Sequence, residues 1–267
     1  MLLVCLGIAL ATVAVVVVVH ALSGGGHGRS TRSGTARTTE QARRCRAGEI
    51  RLGSQRASFA VFLRGRAGVY RHPDGALLTT LPRLSKSFVQ TSRSGVPTVA
   101  VVLAEVRASD CRARWYRVEL PGRPGAASAE AGYVRAGAVE LAKVRTRVVV
   151  DLSEHELTLF EDGVPVLRAP AAVGAPSTPT PRGRFFVRER IRISDAGGAE
   201  GAAAIALSAY STKLSYWPDG GPIAIHGTND PDSIGRAVSH GCVRLGARDL
   251  KRLFAQVQLG TAVEIVG

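Results

Sequence analysis

The 267-residue chain has few aromatic residues and only four cysteines. The first shortage bears on nucleic-acid binding, and the second on metal binding. Phe, Tyr and Trp together make up 5% of the residues. The arginines are scattered over most of the chain and are not interleaved with aromatic residues in a binding motif. The formal net charge of +14 therefore does not indicate a nucleic-acid-binding protein. An anionic surface suits this charge better.

The N-terminal apolar segment lacks basic residues in front of it. Residues 1–22 are almost wholly apolar, which is long enough to cross a bilayer as a helix, and they predict a signal or a membrane anchor. Arginines follow the segment, so the positive-inside rule read literally would place the rest of the chain in the cytoplasm. A start codon placed too far downstream would explain the missing basic residues. Ala21 and Ser23 have signal-peptidase spacing, so cleavage and anchoring both stay open.

Three further segments follow the apolar one. Residues 23–43 are rich in Gly, Ser, Thr and Arg and predict a disordered linker, because they cannot build a core. Residues 44–144 alternate short apolar runs with turn residues, which predicts an all-β domain. Residues 145–267 predict a second, mostly β domain that ends in a strand at 262–266. Apolar residues at helical spacing predict one short helix before that strand, namely Leu250, Leu253, Phe254 and Val257.

The chemistry of the sequence is concentrated in GPIAIHGTNDPDSIGRAVSHGCVRL, which begins at Gly221. Cys242 is a nucleophile with His226 as its candidate base, because a free thiol with a pKa of about 8.5 needs help to ionise at neutral pH. His226 would lie at the exit of the short strand that begins at Pro222. Gly241 permits a tight turn whose consecutive N–H groups could form an oxyanion hole.

Zinc binding is the other chemical interpretation of this segment. His226, His240 and Cys242 are possible ligands. The spacing of His240 and Cys242 suits neither of the usual structural zinc motifs, and no carboxylate or further cysteine completes the set. We therefore predict no metal.

The segment resembles the signature of the L,D-transpeptidase (YkuD-like) family. In that signature a strand-end histidine precedes a Ser/Thr-His-Gly-Cys-x-Arg/Asn motif. The Thr-Pro-x-Gly-x-Phe pattern common in the family also matches within residues 178–185, so the resemblance covers residues 147–267. The residues that match the signature are His226, Gly227, Ser239, His240, Gly241, Cys242 and Arg244.

The resemblance implies a role for several of these residues. Cys242 would attack the bond after meso-diaminopimelate in a peptidoglycan tetrapeptide stem and expel D-alanine. His226 would move the proton, oriented by a backbone carbonyl such as that of Gly227. The N–H groups of Gly241 and Cys242 would hold the oxyanion. Ser239 and His240 would belong to the substrate-binding turn, and Arg244 would fix the loop or the substrate.

The implied protein is an exported enzyme of the cell wall that forms 3-3 cross-links between stems and needs no cofactor. It would take part in peptidoglycan biosynthesis and cell shape, and carbapenems would inhibit it by acylating Cys242. Water in place of the acceptor amine would make it an L,D-carboxypeptidase, and a protein could also be the group attached to the stem. A non-catalytic wall-binding protein is the alternative from another class. The sequence does not choose the acceptor.

The predicted all-β segment resembles a bacterial SH3-like domain. The residues that carry this resemblance lie in the runs 69–71, 73–75, 115–118 and 132–135. The predicted architecture is therefore mainly β, with a small SH3-like barrel in front of a β-sandwich-like catalytic domain.

Two cysteines and two aromatic residues complete the predictions. Cys45 and Cys111 bracket the body of the SH3-like domain and could pair outside the membrane, which leaves Cys242 free as a reactive thiol should be; two unpaired buried thiols are the alternative. Tyr210 and Trp217 precede the catalytic strand and could flank a substrate groove, although packing is the commoner role of such aromatics.

Overall fold

The computed structural model describes residues 46–87, 95–123, 130–214, 216 and 220–267. All of them belong to one compact unit, Ala42–Gly267. The segments predicted at residues 1–22 and 23–43 lie outside the described residues. No helix among the residues described is long and apolar enough to cross a membrane.

The first half of the described chain forms an eight-stranded sheet with the strand order β10-β2-β7-β8-β9-β3-β4, and β1 pairs with β7. The short strands β5 and β6 pair separately with each other. The bounds of these strands are β1 Gly48–Arg51, β2 Ser58–Leu63, β3 Ala67–Tyr70, β4 Leu77–Leu81, β5 Leu84–Ser85, β6 Val96–Pro97, β7 Val99–Arg107, β8 Ala113–Glu119, β9 Ala131–Arg135 and β10 Val139–Val144.

The second half forms a nine-stranded sheet with the order β12-β11-β19-β14-β15-β16-β18-β13-β17. Because β12 also pairs with β13, the sheet closes into a barrel and leaves β17 outside the ring. The bounds are β11 Thr146–Asp151, β12 Glu156–Glu161, β13 Val164–Gly174, β14 Gly183–Arg192, β15 Ala203–Tyr210, β16 Pro222–His226, β17 Ala237–Ser239, β18 Val243–Leu245, α1 Ala247–Gln256 and β19 Ala262–Val266.

The core of the barrel consists of the residues that alternate inward along its strands. Leu157, Ile205 and Ile265 are completely or almost completely buried in one continuous apolar cluster. Leu253 and Phe254 extend that cluster from α1, so the helix packs its apolar face against the barrel. The first sheet has its own cluster around Val61. The ring of the buried Trp115 meets Tyr70 edge-on at 5.4 Å.

A third cluster joins the two sheets. Phe186 of the barrel is fully buried against Ala60 and Val99 of the first sheet. Backbone groups also meet here, because the N–H of Gly122 donates to Ser208 O at 2.9 Å. A Cβ on Gly122 would lie only 2.6 Å from that oxygen, which leaves no room for a side chain. The two sheets are therefore in direct contact.

The prediction of a mainly β protein with one short helix is confirmed. The helix lies where the apolar spacing predicted it, with Val257 as its C-terminal cap. The sequence did not predict β1, which carries a single half-buried residue and has no apolar alternation. The SH3-like character of the first sheet and the domain boundary at residues 144 and 145 stay predictions.

Candidate active site

The site is built on two neighbouring parallel strands of the barrel. Strand β16 pairs with β18, and their register places Ile225 beside Val243 and His226 beside Arg244. Ile225 and Val243 point into the apolar core. Because side chains alternate along a strand, His226 and Arg244 project from the outer face, and so does Cys242, two residues before Arg244. The predicted nucleophile and base are thus one strand apart on one surface.

The His226 side chain is held by the chain next to it. Its Nδ1–H donates to Gly227 O at 2.6 Å, because a carbonyl can only accept. This contact is the one that the resemblance predicted, and its catalytic role stays a proposal. In the neutral ring Nε2 is then the acceptor. Burial lowers the pKa of His226 and Arg244 lowers it further, while the Gly227 bond and Glu200 raise it. Burial is the largest effect, so the imidazole is neutral at neutral pH.

The thiol of Cys242 is also neutral in this environment. Burial raises its pKa, the backbone of Ala224 and the charge of Arg244 lower it, and Glu200 raises it. Sγ lies 3.9 Å from Pro222 O and makes no hydrogen bond to His226 among the residues described. Catalytic hydrogen bonds are often long before substrate binds. Both pKa directions favour a thiol and a neutral imidazole over a thiolate–imidazolium pair.

The turn before Cys242 is fixed by Ser239. This buried serine donates its hydroxyl to Cys242 O at 2.6 Å and accepts the N–H of Gly241 at 3.1 Å. Gly241 has φ 116°, a backbone conformation that favours glycine. The structure differs here from the expected oxyanion hole, because the Gly241 N–H is engaged within the turn. The N–H of Cys242 has no hydrogen-bond partner among the described residues, and its role as an oxyanion donor stays a prediction.

A second segment supports the same turn and was not predicted as part of the site. Thr178 donates its hydroxyl to Ser239 O at 3.1 Å, and Ala175 N–H donates to the same oxygen at 2.8 Å. Thr180 accepts the N–H of Gly174 at 2.8 Å. Thr180 begins the Thr-Pro-x-Gly-x-Phe pattern and Thr178 lies two residues before it, so this pattern was the available signal in the sequence.

The remaining predicted residues have different environments in the structure. The positive charge of Arg244 lowers the pKa of Cys242 and that of His226. The Nε of Arg244 is buried and has no hydrogen-bond partner among the residues described. His240 is exposed. Tyr210 pairs with Pro222, and its hydroxyl accepts a hydrogen bond from Arg188 at 3.1 Å. Trp217 lies outside the described residues.

Two predictions remain, namely the disulfide between Cys45 and Cys111 and the metal alternative for His226, His240 and Cys242. Cys111 is disulfide-bonded, and its predicted partner Cys45 lies outside the described residues, so the pairing stays a prediction. Within the described part of the chain, no group of three or more His, Cys, Asp or Glu residues is arranged to hold a metal ion.

Fold and site together define a class: a closed β-barrel that carries a cysteine and a histidine on the outer face of adjacent parallel strands. The catalytic-domain profile of the YkuD family, described as L,D-transpeptidase catalytic domain, matches residues 145–265. The L,D-transpeptidase YqjB of Bacillus subtilis is 30% identical over 128 residues, which cover 44% of this chain and 69% of that relative. The chain belongs to the L,D-transpeptidase (YkuD) family.

Two further comparisons concern this part of the chain. L,D-transpeptidase YkuD of Bacillus licheniformis is 41% identical over 119 residues, which cover 45% of this chain and 64% of that relative. The chain thus spans less than two thirds of that relative's length. The solved structure of LD transpeptidase LdtMt1 in complex with imipenem aligns with a TM-score of 0.40 at 19% identity, over 63% of this chain and 90% of that chain.

Proposed function

We propose that the protein is an L,D-transpeptidase that forms 3-3 cross-links in peptidoglycan through an acyl-enzyme on Cys242. The observation that carries the proposal is the placement of the His226 imidazole at the end of β16 and of the Cys242 thiol directly before the neighbouring strand β18, with Nδ1 held by Gly227 O. This tautomer leaves Nε2 to accept the thiol proton. Family membership supports the choice of peptidoglycan as substrate.

The reaction runs in two steps. In the first, Sγ attacks the carbonyl carbon of the meso-diaminopimelate residue while its proton passes to His226 Nε2. The Cys242 N–H holds the oxyanion. The carbon–nitrogen bond then breaks, D-alanine leaves with the proton from His226, and a thioester remains. In the second step an amine of another stem attacks the thioester carbon and gives a proton to His226. The carbon–sulfur bond breaks, and His226 returns the proton to Sγ.

Water in the second step would give an L,D-carboxypeptidase, and the structure favours neither acceptor. A non-catalytic wall-binding protein is a weaker alternative, because the nucleophile, the base and the supporting turn are all present. A carbapenem ring would be opened by the same thiol, leaving a covalent adduct on Cys242. We also propose that the protein is exported and faces the cell wall, since peptidoglycan lies there.

Intact-protein mass spectrometry with a disaccharide-tetrapeptide tests the proposal. Wild-type protein should show a thioester adduct, D-alanine release and a cross-linked dimer. Cys242→Ala should lose all three, and His226→Ala should lose D-alanine release. His72→Ala is the matched control, because His72 is an exposed histidine in the turn between β3 and β4. D-alanine without dimer would indicate the carboxypeptidase, and no adduct from folded protein would leave the wall-binding alternative.

A further inference from the structure

Gly201, at the end of the loop between β14 and β15, touches the residue that holds the candidate base. A Cβ on Gly201 would lie 2.9 Å from Gly227 Cα and 3.3 Å from Thr228 N. A Cβ on Gly227 would in turn lie 3.0 Å from Gly201 Cα. Two backbones therefore meet at a distance that admits no side chain on either glycine.

The neighbouring residue Glu200 fixes Gly227 from the same side. Glu200 O accepts the N–H of Gly227 at 2.8 Å. Gly227 O in turn accepts Nδ1–H of His226 at 2.6 Å. The loop thus contacts Gly227 at its N–H and at its Cα. The third backbone group of Gly227, its carbonyl, fixes the imidazole of His226. A shift of this peptide would move the acceptor on which the tautomer of His226 depends.

The side chain of Glu200 adds an electrostatic contact to the backbone one. Two charged groups act on both His226 and Cys242, namely Glu200 from the loop and Arg244 from β18. The carboxylate raises the pKa of both groups and the guanidinium lowers both. The negative charge of Glu200 therefore counteracts the effect of Arg244 on the pKa of His226 and that of Cys242.

We propose that Glu200 and Gly201 form a positioning element for the candidate base, which fixes the orientation and tautomer of His226 through the Gly227 peptide. The assignment rests on the proposed function only in calling His226 the base. The contacts themselves do not depend on it. Gly201 acts through its contact with Gly227, and Glu200 acts through its hydrogen bond to Gly227 and through its charge.

A simpler explanation of Gly201 is its own backbone. Gly201 has φ 64°, a conformation that glycine adopts readily and that asparagine tolerates better than other residues. Gly201→Asn therefore keeps the turn but adds the Cβ that Gly227 excludes. Gly235→Asn is the matched control, because Gly235 has φ 82° and a Cβ there would meet no atom within 4 Å.

Imidazole NMR titration of the full chain reports the tautomer and pKa of His226 without substrate, and the pH profile of Cys242 alkylation by iodoacetamide reports the thiol. Gly201→Asn should shift the His226 nitrogen signals and change the alkylation profile, while Gly235→Asn should match wild type. Turnover of the tetrapeptide should fall by up to about 10²-fold in Gly201→Asn, the size expected for a displaced catalytic group. Identical His226 titrations in the two variants would overturn the proposal.

Glu200→Gln is the second variant, and it keeps the test decisive if Gly201→Asn does not fold. It retains the backbone carbonyl and removes only an exposed charge. The pKa of His226 and that of Cys242 should both fall, and an unchanged pair of values would contradict the proposal. If the titrations behave as expected but wild type releases no D-alanine, the proposed function fails and the positioning element stands. If wild type turns over substrate and Gly201→Asn is unchanged, only the positioning element fails.

Discussion

The inner and outer faces of β16 and β18 differ completely in composition although the same two short stretches of chain carry both. The inner face is apolar, and its four residues are at most 1% exposed. They are Ile223, Ile225, Val243 and Leu245. The outer face alternates with it and carries Ala224, His226, Cys242 and Arg244.

The difference separates stability from chemistry within two short strands. Inner residues hold the strands in register by packing, so the outer residues need not contribute to the core. A hydrogen bond with the backbone of Ala224 lowers the pKa of Cys242 and so favours the ionised thiol. Substitutions on the inner face should therefore change folding, and those on the outer face should change reactivity. Four predictions test this separation.

Ile225→Ala should have the largest effect on stability. Ile225 is fully buried in the barrel core, so the truncation should cost about 2–5 kcal/mol of unfolding free energy. Urea denaturation measures the loss, and the folded fraction should keep its rate of Cys242 alkylation. Val266→Ala is the control, because Val266 is 44% exposed and should change stability by no more than about 0.5 kcal/mol. A loss below that of the control would contradict the comparison.

Ser239→Ala should affect both folding and reactivity, because Ser239 is buried and its hydroxyl holds the turn that carries Cys242. Its hydroxyl contacts Gly241 N–H and Cys242 O, so removal leaves buried polar groups unpaired at a cost of about 1–3 kcal/mol. Ser233→Ala is matched in residue type and is equally buried, but its hydroxyl bonds to Asp230 O away from the thiol. Both should lower stability, and only Ser239→Ala should alter Cys242 alkylation. Equal alkylation profiles would show that the turn does not depend on Ser239.

The pH profile of turnover should reflect burial of the outer pair. Because burial lowers the pKa of His226, the imidazole becomes neutral below the ordinary value of 6.5, and turnover should rise with pH in that range. Because burial raises the pKa of Cys242 from its ordinary value of 9.0, the thiol keeps its proton to a higher pH than an exposed cysteine does. The plateau should therefore be wide on both sides. A rising limb above 6.5 would contradict the neutral resting pair.

Arg244→Gln should have the smallest effect, a displacement of that profile. The guanidinium lowers the pKa of His226 and that of Cys242, so its removal should raise both and move the rising limb to higher pH. Arg248→Gln is the control, because Arg248 is exposed on the adjacent helix. A shift to lower pH in Arg244→Gln would show that another charge dominates the site.

Local patterns predicted much of this architecture. The short apolar run at residues 222–225 predicted β16, and the helical spacing of Leu250 and Leu253 predicted α1. The predicted strand at 262–266 is β19. The closure of the barrel by β12 and β13 was not predictable in this way, because pairing between strands depends on contacts far apart in sequence.

The candidate site shows the same limit. Cys242 and His226 were identified from residue type and motif, and Gly227 was identified as the orienting carbonyl. Glu200 and Gly201 were missed, because nothing in a loop of small and charged residues indicates which backbone it touches. The engagement of the Gly241 N–H by Ser239 was missed for a similar reason, since the direction of a hydrogen bond follows from the folded turn.

The sequence by itself determined the mainly β architecture, the family motif and the residue types that can perform acyl transfer, because these follow from periodicity and from side-chain chemistry. Only the tertiary structure decided that β16 and β18 are parallel neighbours, that the barrel core lies behind them, and that a distant loop closes on Gly227. Burial set the protonation of Cys242 and His226, and burial depends on what the rest of the chain packs around them.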